Sequence, residues 1–413
     1  MHLPFCTPHR RRLGWRTSDV SNRRVSRPRR IAMDGASDRN AQEEERKGVD
    51  EADFANYFCT YEFLYHQKEM LEDAARMNAY HDAVMRNAKL FEGRVVLDVG
   101  CGSGILAIWS AQAGARRVYA VEATRMAEHA KVLVEHNKLE NVVTVLEGTV
   151  ESLELPEQVD IIISEWMGYF LLRESMLDSV LHARDKWLRP GGMLFPSHAT
   201  LYLAPIVSEE HEQKVEQYDD ELDSWEYFVQ RMQQAYGVDF RVLSDRFENE
   251  QRKYFLQTAR WADVKPGALL AEPCALVTLD LSTVTVEELK TLNCPFEIQI
   301  SEEKFALHDL DGPEELQAFC GWFDVDFRGS SEEPAAIPIK LTTQPVEHAS
   351  THWGQQVFHV HPSHLCVPGD IFKGHLRIQR NRHNQRLLDV WMDYAHTTQQ
   401  GDRRSHVRCF YIE

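Results

Sequence analysis

The chain has 413 residues, of which 43% are hydrophobic, and it contains no long apolar run, so it can bury the cores of two or three domains and is not expected to span a membrane with a helix. Its eight cysteines are scattered without a Cys-x-x-Cys pair, which argues against a metal site and is typical of an intracellular protein with reduced thiols. The net charge of −18 favours cationic partners over nucleic acid, although the acidity could also serve only to keep the protein in solution.

Residues 1–52 are polar, rich in arginine and then in glutamate, and lack apolar periodicity, so we predict a disordered tail. Its first 32 residues contain nine arginines and one acid, a local charge of +8 that leaves −26 for the rest of the chain. Three interpretations of this basic part remain open: an organelle transit peptide, a nuclear-localisation cluster, or an extension upstream of a start at Met33. We expect a nuclear and cytoplasmic protein, with organelle targeting as the alternative.

Helical periodicity runs from about residue 54 to about 92. Between residues 93 and 196, short β-rich segments alternate with helical ones, which predicts a parallel sheet covered by helices. The β-rich segments are RVVLDVG, RRVYAVEA, NVVTVLEG and VDIIISEW, and the helical ones are ILAIWSAQAG and MAEHAKVLVEHNKL.

The pattern changes after Pro196. Residues 208–236 are strongly acidic and helical, and from about 252 many short β-rich segments follow, as is typical of an antiparallel barrel or sandwich. We therefore predict an α/β fold in which N-terminal helices and a Rossmann-like domain occupy residues 53–196. An antiparallel β-barrel occupies 197–413, with a helical arm inserted at about 208–242.

The segment VLDVGCGSG places three glycines between a buried strand and a helix. Gly100, Gly102 and Gly104 remove side chains where the backbone must approach a ligand. Their spacing is one residue shorter than the loop that seats a dinucleotide pyrophosphate, so it favours S-adenosylmethionine, which has no phosphate. Glu122 ends the next strand, where a carboxylate can accept ribose hydroxyls, and Asp98 is expected to order the loop by accepting backbone N–H groups. The alternative is a glycine turn in another kind of α/β protein.

Two glutamates lie nine residues apart in SEWMGYFLLRESM. Glu165 follows a strand at its carboxyl end, where ligands bind in open α/β sheets, and Gly168 allows a sharp turn that brings Glu174 back. Two buried carboxylates repel each other, so the pair makes sense around a delocalised cation. A planar guanidinium fits, because a bidentate grip would aim one nitrogen at a methyl donor. The alternative is that one or both glutamates form ordinary surface ion pairs.

The segment SEWMGYFLLRESM resembles the double-glutamate hairpin of the protein arginine methyltransferases. YFCTY, VLDVGCGSG, VEA, EGTVE and THWGQ resemble other signatures of that family in the same order, and the resemblance, to a plant branch, covers about residues 53–413. The hairpin and the THW element are specific to the family, whereas the glycine loop is common to most methyltransferases. The resemblance implies a type I enzyme that uses S-adenosylmethionine to make mono- and asymmetric dimethylarginine in proteins.

The resemblance also implies which residues bind the cofactor. Arg76 would pair with its methionine carboxylate, and Glu151 would bind its adenine amino group. Gln67 departs from the family pattern, in which many members have histidine; it can still donate to the carboxylate but carries no charge. The implied cofactor-binding residues are Tyr57, Gln67, Met70, Arg76, Asp98, Gly100, Gly102, Gly104, Glu122, Ala123 and Glu151.

Five residues are implied to take part in catalysis: Glu165, Glu174, Tyr61, His352 and Asp73. Tyr61 would line the site with the two glutamates. His352, from the THW element, would pair with Asp73 and either accept the released proton or only close the site. The alternative for His352 is an ordinary histidine in a barrel turn.

The resemblance extends to Met70 and Met176, which match methionines of that family whose bulk restricts how a monomethylated arginine re-enters the site. In the family such a pair usually accompanies asymmetric product. The alternative is that they only fill the core.

The arm is implied to pack on the cofactor domain of a second subunit in a ring-shaped homodimer, with Trp225, Tyr227 and Phe228 as anchors. The alternative is a solvated pair of acidic helices.

Three functions are carried forward. The first is arginine methylation of arginine-rich proteins, such as histone tails or Arg/Gly-rich segments. The second is methylation of another nucleophile, such as a small molecule or nucleic acid, by the same cofactor. The paired glutamates argue against nucleic acid, because they would repel a phosphate backbone. The third is an inactive scaffold, against which every position that the chemistry requires is filled.

Overall fold

The computed structural model describes residues 61–208, 210–306, 313–348 and 350–413, so the predicted tail lies outside the described residues. Three helices come first: α1 Leu64–Glu72, α2 Ala74–Met85 and α3 Ala88–Phe91. Helical periodicity is broken at Asp73, which is extended and whose carboxylate accepts the Arg76 N–H at 3.0 Å. Asp73 therefore begins α2 as its N-cap.

The predicted parallel sheet is confirmed. Its strands are β1 Val95–Val99, β2 Arg117–Glu122, β3 Val143–Glu147, β4 Val159–Ile163 and β5 Leu188–Phe195, and the helices between them are α4 Ile105–Gln112, α5 Met126–His136 and α6 Leu177–Trp187. The strand order is β3-β2-β1-β4-β5, and every neighbouring pair is parallel. All five residues of β1 are buried, as expected of a central strand covered on both faces.

The predicted antiparallel barrel region consists of two sheets. Its strands are β6 His198–Ile206, β7 Arg260–Ala262, β8 Cys274–Asp280, β9 Thr291–Gln299, β10 Glu314–Gly329, β11 Pro334–Thr342, β12 Gln355–Cys366, β13 Ile371–Arg380, β14 Leu388–Thr397 and β15 Arg403–Ile412, and its inserted helices are α7 His211–Tyr236, α8 Ser244–Arg252, α9 Val286–Leu289 and α10 Glu302–Phe305. One sheet has the order β7-β12-β10-β6-β8, with β11 added to β10, and the other has the order β15-β14-β13-β9. Along β9, buried and exposed residues alternate strictly, so one face meets the core and the other meets solvent.

Side-chain contacts join the barrel to the parallel sheet and its N-terminal helices at several places. The Asn87 side chain bonds both backbone groups of Ile337, at 2.9 and 3.0 Å. Arg380 of β13 holds both carboxylate oxygens of Asp178 of α6 at 2.6 Å. Phe170 packs against a barrel phenylalanine, with ring centroids 5.3 Å apart. Phe170 and Asp178 follow the carboxyl end of β4, whereas Asn87 precedes β1, so the barrel is fixed against the parallel sheet and its helices at more than one edge.

The arm differs from the expectation in which residues it leaves exposed. The 26-residue helix α7 ends at Gly237, and α8 packs back against it. Trp225 stacks on Phe247 of α8 with ring centroids 4.3 Å apart, and Phe228 packs on Phe240 at 5.2 Å. Two of the three predicted partner anchors are therefore used inside the arm, because the chain doubles back over them. None of the helices in the described part of the chain is long and apolar enough to cross a membrane.

Candidate active site

The glycine loop turns at the carboxyl end of β1. Gly100, Gly102 and Gly104 have φ angles of 69°, 54° and 84°, in the left-handed region that favours glycine. Glu122 at the end of β2 holds this loop, since its Oε2 accepts the Gly102 N–H at 2.8 Å. Its Oε1 accepts the backbone N–H and the hydroxyl of Thr124, at 2.8 and 2.7 Å. Oε2 can accept a second hydrogen bond, so Glu122 keeps acceptor capacity for a ligand hydroxyl.

Side chains from two helices border this loop. A Cβ added to Gly102 would lie 2.8 Å from Oε1 of Gln67 in α1, and one added to Gly100 would collide with the terminal methyl group of Met176, the N-cap of α6. Glycine therefore leaves a narrow shelf of bare backbone beside a strand-end carboxylate. Such a shelf fits the nucleoside and amino-acid parts of S-adenosylmethionine, which need close backbone approach and no phosphate seat.

Asp98 does not order the loop as expected. It is fully buried, and neither carboxylate oxygen accepts a hydrogen bond of ordinary geometry from the described residues. The Gly100 N–H donates instead to the Val121 carbonyl at 2.9 Å. Burial raises the pKa of Asp98 to about 8, the charge of Glu122 adds to the rise, and the Ala107 N–H opposes it. The expectation was wrong because β2, and not Asp98, supplies the acceptors for the loop.

Two further residues predicted to bind cofactor, Ala123 and Glu151, have described positions. Ala123 directly follows β2. Glu151 is exposed and accepts a hydrogen bond from the Ser179 hydroxyl of α6 at 2.6 Å. Tyr57 lies outside the described residues. Their roles stay predictions.

The hairpin that carries Glu165 and Glu174 has an unusual backbone. Gly168 forms a bridge with Leu171, and a Cβ at position 168 would collide with the carbonyl oxygen of Arg173. Four residues other than glycine have positive φ angles, namely Phe170 at 49°, Leu171 at 68°, Glu174 at 82° and Ser175 at 57°. Each such residue costs about 1 kcal/mol or more, so surrounding contacts must hold the hairpin in this shape.

A barrel loop between β13 and β14 supplies those contacts. The Glu174 N–H donates to the Arg386 carbonyl at 2.7 Å, and Nη1 of Arg386 donates to the Glu174 carbonyl at 2.7 Å. The Ser175 hydroxyl donates to the Gln385 carbonyl, also at 2.7 Å. The backbone of the second glutamate is therefore bonded on both sides by the barrel.

Glu165 lies at the carboxyl end of β4 and is paired with Arg76 of α2. The Nε and Nη2 atoms of Arg76 donate to Oε2 of Glu165 at 3.1 and 2.9 Å, while Nη1 donates to the Met70 carbonyl at 3.0 Å. Oε1 of Glu165 accepts the Met167 N–H at 3.2 Å. The two side chains are only 12% and 13% exposed, so this is a nearly buried ion pair. The Glu165 carboxylate therefore already holds a guanidinium through two N–H donors.

Glu174 is bonded to Tyr61 and to Arg173. The Tyr61 hydroxyl donates to Oε2 at 2.8 Å, and Nη1 of Arg173 donates to Oε1 at 3.3 Å. Burial raises the pKa of Glu174 above its ordinary value and Glu165 adds to the rise, while Tyr61 and Arg173 oppose it. The second carboxylate is thus costly to ionise unless a cation approaches it.

His352 and Asp73 meet across the boundary between the barrel and the N-terminal helices. Oδ2 of Asp73 accepts the backbone N–H of His352 at 2.9 Å and lies 2.7 Å from Nδ1 of its ring. Burial alone would raise the pKa of Asp73, but hydrogen bonds from His352 and the Arg76 amide hold it below its ordinary value. The neighbouring Trp353 donates its indole N–H to the Met167 carbonyl at 2.8 Å. The THW loop therefore contacts both the helix junction and the glutamate hairpin.

Sequence reasoning missed Arg386 and Trp261, whose indole N–H donates to the His352 carbonyl at 3.1 Å. Each contacts a residue far away in the chain, at a separation of 212 and 91 residue numbers. No local motif marks such contacts, because neither spacing nor composition encodes a pairing between segments far apart in the chain.

Comparison with known proteins matches both domains. The methyltransferase domain family matches residues 96–192, and the arginine methyltransferase oligomerization subdomain family matches residues 197–400. The chain is 47% identical over 364 residues to protein arginine N-methyltransferase PRMT10 of Arabidopsis thaliana, which spans 88% of this chain and 93% of that protein. It is 38% identical over 357 residues to protein arginine N-methyltransferase 6 of Danio rerio, which spans 86% of this chain and 92% of that protein.

Two solved structures give the same picture. The crystal structure of Arabidopsis thaliana protein arginine methyltransferase 10 superposes with a TM-score of 0.82 at 46% identity, over 86% of this chain and 100% of that one. The Trypanosoma brucei PRMT1 enzyme–prozyme heterotetrameric complex with AdoHcy superposes with a TM-score of 0.70 at 30% identity, again over 86% of this chain and 100% of that one.

Replacing Gly168 by alanine should destabilise the hairpin, because the added Cβ would overlap the Arg173 carbonyl, which is backbone and has no rotamer to change. We expect the free energy of unfolding to fall by about 1–3 kcal/mol or more, measured by urea denaturation. Gly267→Ala is the matched control, since a Cβ there would meet nothing within 4 Å. Equal stability of the two variants would show that the hairpin can relax around the methyl group.

Proposed function

This chain belongs to the protein arginine N-methyltransferase family, and we propose that it is a type I member that makes mono- and asymmetric dimethylarginine in arginine-rich proteins such as histone tails. The activity of the family, methyl transfer from S-adenosylmethionine to protein arginine, is the activity of this chain. The product type and the kind of substrate are the proposed parts.

The observation that carries the proposal is the pairing of Arg76 with Glu165. The Nε and Nη2 atoms of Arg76 both donate to Oε2 of Glu165, at 3.1 and 2.9 Å, so this carboxylate can hold a guanidinium at the place where a substrate arginine would bind. Glu174, held by Tyr61 and by the barrel, supplies the second acceptor of the hairpin. The site is thus built to hold a planar cation and to fix its plane.

The bound cofactor supplies an electrophilic methyl group on a sulfonium. The chain's own part is to orient the acceptor nitrogen and to concentrate electron density on it. Carboxylates bonded to the other N–H groups of the guanidinium draw its positive charge towards themselves, so the free nitrogen becomes a better nucleophile. We assign Arg76 and Gln67 to the cofactor's amino-acid carboxylate and Glu122 to its ribose. Because Arg76 bonds Glu165 in this structure, it must release that carboxylate before a substrate arginine can bind there.

A proton must leave the guanidinium once its nitrogen has been methylated. We assign its acceptance to His352, whose Nδ1 lies 2.7 Å from Asp73. With Asp73 ionised and bonded to Nδ1, the other ring nitrogen is free to take the proton, and the aspartate stabilises the resulting cation. The lowered pKa of Asp73 supports this, because it keeps the partner anionic.

The methionines support the asymmetric product. Met176 lies against Gly100 of the cofactor loop, since a Cβ added to Gly100 would collide with the methionine methyl group. Met70 lies on α1, and its backbone carbonyl accepts a hydrogen bond from Arg76. Both side chains therefore belong to elements that border the place where the methyl donor and the acceptor nitrogen meet. Bulky side chains on these elements favour binding of a monomethylated arginine with its already methylated nitrogen facing the methyl donor, which gives the asymmetric product.

The arm supports a homodimer. Around its tip, Tyr236, Val238 and Val242 are exposed, the last by 82%, and α5 of the cofactor domain exposes Val132 by 64%. Apolar side chains grouped at the end of an acidic arm are costly in water unless a partner covers them. We propose that the arm tip of one subunit packs on α5 of the other.

The activity is tested with labelled cofactor, an arginine-rich peptide and its Arg→Lys counterpart. We expect transfer only to the arginine peptide and asymmetric dimethylarginine by mass spectrometry; symmetric product would contradict the argument from the methionines. Glu165→Gln should lower kcat/KM by about 100-fold or more with little change in cofactor affinity. Glu157→Gln is the control, because that carboxylate pairs with Arg116 on the surface.

The pH dependence of kcat/KM tests the role of Tyr61. Glu174 must be ionised to bind a guanidinium, and its folded pKa is raised, so kcat/KM should fall as the pH drops through a value above 4.5. Tyr61→Phe removes a hydrogen bond that stabilises the carboxylate, so this acid limb should move to higher pH. Tyr119→Phe, which loses a hydroxyl bonded to Glu157, should leave it unmoved. An unshifted limb in Tyr61→Phe would refute the assignment.

Sedimentation velocity tests the dimer. Val242→Asp at the arm tip should convert the protein to monomers, because a charge replaces an apolar contact. Val407→Asp, at a position on β15 that is also exposed, should leave the sedimentation coefficient unchanged. A dimer that persists in Val242→Asp would place the interface elsewhere.

A further inference from the structure

Trp261 lies beside the THW loop and comes from a different strand. It belongs to β7, the edge strand that pairs with β12, where it stands opposite Gln356. Its indole N–H donates to the His352 carbonyl at 3.1 Å, and the residue is 49% exposed. A large aromatic side chain that is half exposed gains only part of the free energy of full burial, so core packing alone does not explain why Trp261 lies there.

The contacts of His352 show what Trp261 adds. Asp73 accepts both the backbone N–H and the ring N–H of His352, which holds the residue from the side of the N-terminal helices. Trp261 holds the carbonyl of the same residue from the side of the barrel. The two peptide groups that flank the histidine Cα are therefore each bonded, so the backbone that carries the ring is fixed at both ends.

Gly354 shows that the indole is fitted closely to the loop. It has a φ angle of 49°, and a Cβ added to it would lie 2.5 Å from Nε1 and 2.7 Å from Cε2 of Trp261. A side chain at position 354 would thus push the indole away from the His352 carbonyl. The glycine and the tryptophan together form one contact, and its hydrogen bond ends on the residue that we assign to proton acceptance.

We infer that Trp261 is a positioning residue for His352: its indole N–H fixes the THW loop from the barrel side, so that the histidine ring stays against Asp73 and towards the substrate. The inference rests on the role given to His352 under the proposed function. Among the described residues, no hydrogen bond or ring contact joins Trp261 to the paired glutamates or to the glycine loop, so its loss should change the chemical step and not binding.

The test is Trp261→Phe, which keeps an aromatic ring and removes the N–H, in the wild-type chain and in His352→Gln. In the wild-type background we expect kcat for an arginine-rich peptide to fall by about tenfold, in line with a small misplacement of a reacting group. The KM for the peptide and the Kd for S-adenosylmethionine should stay within about twofold. In the His352→Gln background the same substitution should have no further effect, since residues acting through one another are not additive.

Trp391→Phe is the matched control, because this half-buried tryptophan of β14 stacks on Arg377 in the other barrel sheet. Its kcat should equal that of the wild type. Melting temperatures verify folding, and Trp261→Tyr provides the same comparison if the phenylalanine variant is unstable.

Two outcomes overturn the inference alone: an unchanged kcat in Trp261→Phe while His352→Gln is impaired, or an equal fold-loss from Trp261→Phe in both backgrounds. Full activity of His352→Gln would instead refute the proposed role of the histidine, and the positioning role would fall with it. Failure of the two proposals is therefore distinguishable.

Discussion

The site depends on keeping two carboxylates at one place without letting them repel each other apart. Each carboxylate is held by a different part of the chain: Glu165 by Arg76 of the N-terminal helices, and Glu174 by Tyr61 and the Arg386 loop of the barrel. Removing charge from water is costly unless it is paired and hydrogen-bonded, so the surrounding contacts are part of the site. This explains why residues from three regions converge on a short hairpin.

The same requirement explains the contact between the domains. Arg380 and Phe170 join the barrel to segments that follow β4, at the carboxyl edge where the glycine loop and the hairpin emerge, and Asn87 joins it to the N-terminal helices. His352 can then reach Asp73 across the boundary. A parallel sheet presents the ends of its strands on one side of a ligand. The hydrogen-bonding groups on the opposite side of the site come from the barrel.

Local sequence allowed much of this to be predicted. The alternation of β-rich and helical segments predicted the sheet, and the glycine spacing and the two glutamates located its ligand edge, because strand ends and tight turns are encoded by neighbouring residues. Contacts between distant segments were not predictable from local pattern, and the pairing of His352 with Asp73 was expected only because the family resemblance implies it. The acceptors for the glycine loop come from β2 and not from Asp98, Trp225 packs on Phe247 of α8, and Phe228 packs on Phe240 before α8. Arg386 and Trp261 belong to no motif, since their contacts depend on which elements fold against each other. The roles of the individual site residues stay predictions until they are measured.

The hairpin backbone has a consequence for protein engineering. Glu174 keeps a φ angle of 82° because its two peptide groups are bonded to a loop more than 200 positions later in the chain. Its conformation is thus a property of the assembled protein and not of the segment SEWMGYFLLRESM. Transplanting that segment onto another methyltransferase scaffold would carry over both carboxylates but not their geometry, unless a counterpart of the Arg386 loop were transplanted as well.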